Sequence, residues 1–198
     1  MFVLHSQRRG HVHIAKCGGT YIRACCEHLG TLDRLYPSHR RQPSQQRVGS
    51  PLHHLNDYEW SAVIRNPVDR FRSLWQWFTN PDSPYDTATG MVYLQAHYRV
   101  PRHILLNWHD WMDHWWHNPI PNSHRGMWNP QLNKIQSNTY LFRFETQLAD
   151  CVRWMGGIPQ AQAINVSRPF EYSITALQRS RIEQRYPGSM TLWESLPR

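Results

Sequence analysis

Hydrophobic and polar positions change period several times along this chain, and each change marks an element. Residues 12–15 form a short apolar run of β type, followed by a Gly-Gly turn and helix-compatible sequence through Leu29. Residues 58–64 read as a second strand that becomes apolar toward its end. Arg65-Asn66-Pro67 closes that strand and opens a helix, with Asn66 placed as N-cap and Pro67 at the first helical position. Val68, Phe71, Leu74 (or Trp75) and Phe78 then recur at helical spacing and predict a core stripe. Helical patterning resumes at residues 91–97 and 104–117, while residues 38–47 and 80–86 read as polar loops. Strands followed by helices, with glycine or proline turns at the strand ends, predict an α/β fold with a central parallel sheet flanked by helices.

The length of 198 residues fits one domain spanning 1–198 with a sizeable core. Basic residues number 22 against 14 acidic ones, giving +8 before any of the 13 histidines is counted. That balance suits an anionic ligand such as a nucleotide, a polyanionic sugar or nucleic acid. No apolar run approaches the ~18 residues of a membrane span, and no secretory leader is legible. The four cysteines, Cys17, Cys25, Cys26 and Cys151, form no C-x-x-C pair or disulfide framework, which points to a reducing, cytoplasmic setting.

The most specific chemistry lies in Lys16-Cys17-Gly18-Gly19-Thr20-Tyr21. Paired glycines let the backbone approach a ligand and turn its N–H groups inward, the following helix adds its positive end, and Lys16 adds a full charge. Together these make a phosphate cradle. Lysine comes before the glycines rather than after them, so the spacing is not that of a Walker loop. An ordinary Gly-Gly turn with a solvated lysine accounts for the segment equally well when it is taken alone. Arg65 at the end of the second strand and Ser73 two turns into its helix add polar groups able to meet one anion.

Taken together, the two segments resemble the Golgi carbohydrate (heparan or chondroitin type) sulfotransferases, in a small soluble version of the bacterial or viral kind. That family carries H-x-P-K-[TA]-G-G-T-[ST] for the 5′-phosphosulfate and R-[DN]-P-x-x-R-x-x-S for the 3′-phosphate. This chain has His13-Ile14-Ala15-Lys16-Cys17-Gly18-Gly19-Thr20-Tyr21 and Arg65-Asn66-Pro67-Val68-Asp69-Arg70-Phe71-Arg72-Ser73. Ala15 replaces proline, Cys17 replaces threonine and Tyr21 replaces a small hydroxyl residue. Fainter echoes follow in order: His124 to Gln131 with one extra residue before Pro130, the strand and Phe144-Glu145 near residues 140–150, and the family's last helix at residues 182–186.

The resemblance implies a P-loop-like three-layer fold and sulfuryl transfer from 3′-phosphoadenosine-5′-phosphosulfate to an acceptor hydroxyl. Lys16, Cys17, Gly18, Gly19, Thr20 and Tyr21 would line the 5′ side, Arg65 and Ser73 the 3′-phosphate, and Arg168 would close over the nucleotide. Lys16 would neutralise the departing phosphate, and a histidine, His54 ahead of His53, would serve as base; Glu27 and Glu145 are weaker candidates. The family's reaction needs no metal, and the spacing of His109, His114 and His117 fits a zinc helix poorly.

Ten tryptophans are many for this length. Trp108, Trp111 and Trp115 share helical spacing and are expected in the core. Stacking on a saccharide or on single-stranded nucleic acid are the competing readings. The basic and aromatic loops favour a saccharide acceptor. A basic nucleic-acid-binding protein and a nucleotide kinase-like P-loop enzyme are the disfavoured alternatives.

Overall fold

Strands Phe2–Leu4 (β1), Arg9–Val12 (β2), Leu32–Arg34 (β3), Glu59–Ile64 (β4) and Thr139–Arg143 (β5) form one sheet in the order β3-β1-β2-β4-β5. Helices are α1 (Gly19–Cys26), α2 (Pro67–Thr79), α3 (Arg102–Leu106), α4 (Trp108–His117), α5 (Phe144–Trp154), α6 (Ala176–Arg185) and α7 (Ser189–Ser195). This computed structural model describes residues 1–30, 32–34, 55, 57–79, 99–118, 130–135, 137–161 and 170–198. The patterned segment 91–97 and the loops 38–47 and 80–86 lie outside the described residues.

The fold is α/β, as expected, but the expected central parallel sheet is mixed, because an antiparallel pair of strands adds to its parallel part. β2, β4 and β5 run parallel, with His11 opposite Ser61 and Ala62 opposite Leu141. β1 pairs antiparallel with both β2 and β3. The reversal comes from a 3-10 turn over His5–Gln7 that ends on Arg8, whose φ of 49° is left-handed. A tight local turn can join only antiparallel strands, whereas parallel neighbours need a crossover. Both crossovers run through a helix that begins just past a strand end, α1 after β2 and α2 after β4.

Helix α2 begins where its sequence requires. Asn66 Oδ1 accepts from the N–H groups of Val68 (2.9 Å) and Asp69 (3.3 Å), satisfying two donors the first turn cannot pair. Val68, Phe71, Leu74, Trp75 and Phe78 are all buried. The stretch 104–117 is two helices rather than one. Asn107 leaves α3 in extended geometry and caps α4, accepting from His109 and Asp110.

Two buried clusters hold the fold together. One joins the strands to α1 and α5 through Ile22, Cys25, Cys151 and Val152. The other joins α2, α3, α4 and α6, with Phe71 against Trp108 and Trp115 and with Ile182 and Tyr186 beneath them. Trp108, Trp111 and Trp115 are core, at 0, 0 and 2 % exposure, so these three offer no open stacking face. Each contributes about 4–6 kcal/mol of apolar burial against an extended chain. Residues 182–186 lie at the end of α6, and α7 follows. Among the described residues no helix is long and apolar enough to cross a membrane. All four cysteines are buried free thiols.

Candidate functional site

The Lys16 loop and the Arg65 turn leave the same end of two adjacent parallel strands, β2 and β4. Open α/β sheets place ligands at that end, because helix N-termini converge there. The loop proper begins when Ile14 O accepts the Cys17 N–H at 3.2 Å. Lys16 has a φ of 66°, left-handed in a residue with a side chain. Gly18, the N-cap of α1, has a φ of 79°, where glycine carries no penalty. Gly19 is required for another reason: a Cβ there would overlap the His13 imidazole.

Two arginines hold the loop's carbonyl groups. Arg70 Nε donates to Ala15 O at 3.1 Å, and Arg65 Nη1 donates to Lys16 O at 3.1 Å. Those oxygens are turned toward arginines, and Gly18, Gly19 and Thr20 stand at the N-terminus of α1, where N–H groups have no partner within the helix. Ile22 makes the first bond of the helix, to Gly18 O at 3.0 Å. A strand-to-helix turn with its acceptors held back and its donors open is arranged for an anion.

The charge distribution agrees. Burial, and then the neighbouring Arg65, lower the Lys16 pKa to about 8. Burial likewise lowers Arg65. Arg65 lies over the Phe144 ring at 4.5 Å, and its buried Nε has no hydrogen-bond partner among the described residues. Two half-buried cations near one another are each penalised as they stand, and an anion between them would relieve both. Glu145 supplies part of the countercharge: it accepts the Asn66 N–H at 3.0 Å and the Trp193 Nε1–H at 2.8 Å.

Gln131 is the residue that reading the sequence did not single out. It is 1 % exposed. Its Oε1 accepts the Arg65 N–H at 3.0 Å and the Cys17 thiol at 3.3 Å, and its Nε2 donates to Arg65 O at 2.7 Å. Pro130-Gln131 was visible in sequence as part of a faint echo, but a contact across 66 residues has no local signature. Burial pushes the Cys17 thiol up to about 11, so at neutral pH it is an S–H donor and not a thiolate.

The structure therefore brings Lys16, Cys17, Gly18, Gly19, Thr20 and Arg65 together. Cys17 turns its side chain into the protein, which leaves only its backbone for a ligand. Tyr21 donates its hydroxyl to Gln160 O at 2.8 Å, bonding to the segment after α5. Ser73 is 2 % exposed and sits within the packed face of α2. His53, His54 and Arg168 lie outside the described residues. Glu27 is exposed at the far end of α1, in an i,i+4 pair with Arg23. His109 meets Gln178 Nε2 at 2.9 Å, and His117 lies 3.7 Å from Asp113, so these two histidines have separate partners. No family model, curated protein or solved structure matches the chain.

Proposed function

We propose that this protein is a sulfotransferase that moves a sulfuryl group from 3′-phosphoadenosine-5′-phosphosulfate to an acceptor hydroxyl, on a P-loop-like three-layer fold. The observation that carries the proposal is the meeting of the two motif segments, with Arg65 Nη1 on Lys16 O. Segments that resemble the two phosphate-binding elements of one nucleotide site have reason to meet if they bind one nucleotide.

In this reading the Gly18, Gly19 and Thr20 N–H groups hold the 5′-phosphate, and Lys16 stands at the bridging oxygen. The acceptor oxygen attacks sulfur in line, the bond from sulfur to the bridging oxygen breaks, and its electron pair leaves on the 5′-phosphate. Lys16 offsets the charge that grows there, and the base accepts the acceptor's proton. Arg65 retains donors for the 3′-phosphate, the group that distinguishes this donor from ATP. Ser73, Tyr21, Arg168 and the base His54 (or His53) stay in the proposal on sequence spacing alone. A saccharide acceptor and a cytoplasmic setting also belong to the proposal.

Calorimetry with 3′-phosphoadenosine-5′-phosphate, ATP and an oligonucleotide tests it. Tight binding of the bisphosphate alone is the expected result. Preference for ATP would make the site kinase-like. Oligonucleotide binding that falls steeply with salt would make the protein a nucleic-acid binder.

A further inference from the structure

We infer that Gln131 is a positioning residue that couples the two anion-facing turns, so that the Lys16 loop and the Arg65 turn engage a doubly phosphorylated ligand as one unit. The inference rests on the proposed donor site for the identity of the ligand, but not for the brace itself.

The geometry is that of a strand partner. Arg65 is the first residue past β4, where the ladder with β5 has ended at the Ile64–Arg143 pair. Its peptide N–H and C=O would be left open at that point. One primary amide takes both, at 3.0 and 2.7 Å, just as a neighbouring strand would. The same Oε1 has a second lone pair, and the Cys17 thiol donates to it at 3.3 Å. A single buried oxygen thus receives one donor from each turn. Neither turn can shift without disturbing the acceptor the other uses. The brace has a parallel on the far side of the loop, where Arg65 and Arg70 take the carbonyls of Lys16 and Ala15. Gln131 differs from these in touching no part of the donor face. It is 1 % exposed, so water cannot replace a lost bond.

This arrangement also gives Cys17 a purpose. A neutral thiol two residues from the N-terminus of α1, wholly buried, is a weak donor chosen for position rather than reactivity. It fixes the side of the loop that faces away from the ligand.

The test replaces Gln131 by methionine, which keeps the length and removes the amide. Amide exchange followed by NMR should show the Cys17 and Arg65 N–H groups opening together, each about tenfold faster, with β1 and β2 unchanged. Loosening of Arg65 alone would overturn the coupling. In calorimetry, Gln131→Met should narrow the advantage of 3′-phosphoadenosine-5′-phosphate over adenosine 3′-phosphate and adenosine 5′-phosphate by about tenfold. Equal weakening of all three ligands would reduce Gln131 to a structural role and overturn the proposal. If the wild type binds none of the three, the donor-site reading fails and exchange alone decides the brace. Should Gln131→Met not fold, Cys17→Ala carries the same measurements while leaving both Arg65 bonds in place. A Cys17→Ala protein indistinguishable from wild type in exchange and in the ligand comparison would overturn it.

Discussion

Arg65 donates from Nη1 to the carbonyl oxygen of Lys16 at 3.1 Å, joining residues 49 positions apart in the chain. The bond makes one site of two turns. It also sets Arg65 beside Lys16, where the guanidinium adds to burial in making the lysine less ready to hold its proton without a ligand.

The first consequence is a pH dependence of binding. Lys16 has its pKa lowered to about 8 by burial and then by Arg65, and a bound anion must raise it again. Below pH 8 the ammonium is already charged, so affinity for the bisphosphate should be flat. Above pH 8 binding must take up a proton, and affinity should fall with rising pH until the bound-state pKa is passed. Titrations in buffers of different ionisation enthalpy measure the uptake directly. Lys16→Arg should abolish it, whereas the same uptake in that variant would assign the proton to another group.

Arg65→Ala should weaken bisphosphate binding by about 2–5 kcal/mol, the range for removing one partner of a desolvated charge contact. Adenosine 5′-phosphate, which lacks the 3′ group, should lose much less. Calorimetry on both ligands checks this. Equal losses would move the 3′-phosphate away from Arg65.

Gly19→Ala forces a methyl group into the His13 ring. The three atoms nearest that methyl are all in the His13 side chain, which must shift, so the expected cost is about 1–3 kcal/mol, seen as a lower midpoint in urea. Adding His13→Ala should return part of that stability, since the overlap is with the imidazole. A double variant no better than Gly19→Ala would refute the steric account.

Acid should destabilise the fold through His11. Its ring is buried beside Ser61 Oγ at 3.0 Å and Cys151 Sγ at 3.9 Å. Burial, then His13 and the N-terminal amine, hold its pKa well below 6.5. The unfolded chain binds a proton near pH 6.5 and the folded chain does not, so stability is full above that value and is lost as pH falls toward the folded pKa. Thermal melting from pH 7 down to pH 5 should show the loss, and His11→Gln should flatten the profile. Identical slopes for both proteins would exonerate His11.

The acceptor is a separate question from the donor. A labelled-sulfate screen over polysaccharides, oligosaccharides, phenols and peptides should show transfer to a saccharide. Transfer to phenols or peptides alone would overturn the acceptor assignment and leave the donor site standing.

What the sequence disclosed followed range. Asn66 and Pro67 were legible because capping is settled within three residues, and the α2 stripe because its period persists from Val68 to Phe78. Trp108, Trp111 and Trp115 were legible as core for the same reason. β1 was not, since the three residues of Phe2–Leu4 are too few to show a period. The break at Asn107 escaped because apolar residues keep their spacing across it, and only the cap geometry separates α3 from α4. Ser73 is polar by composition and buried by position, a combination that pattern alone assigns to the surface side. Gln131 acts wholly through contacts remote in sequence, and no local rule reaches it.

The mixed sheet has a consequence for the order in which the molecule assembles. β1 and β2 meet across one tight turn, so that hairpin closes a short loop and forms at small entropic cost. The parallel pairs must wait for distant chain: Arg9 and Glu59, partners in β2 and β4, lie 50 positions apart, and β5 comes later still. Long-range parallel pairing is the slow step in such topologies. The proposed anion cradle sits where β2 and β4 end, on the late-forming half. In refolding experiments, helix content should therefore recover before bisphosphate binding does, and the bisphosphate should slow unfolding more than it speeds folding.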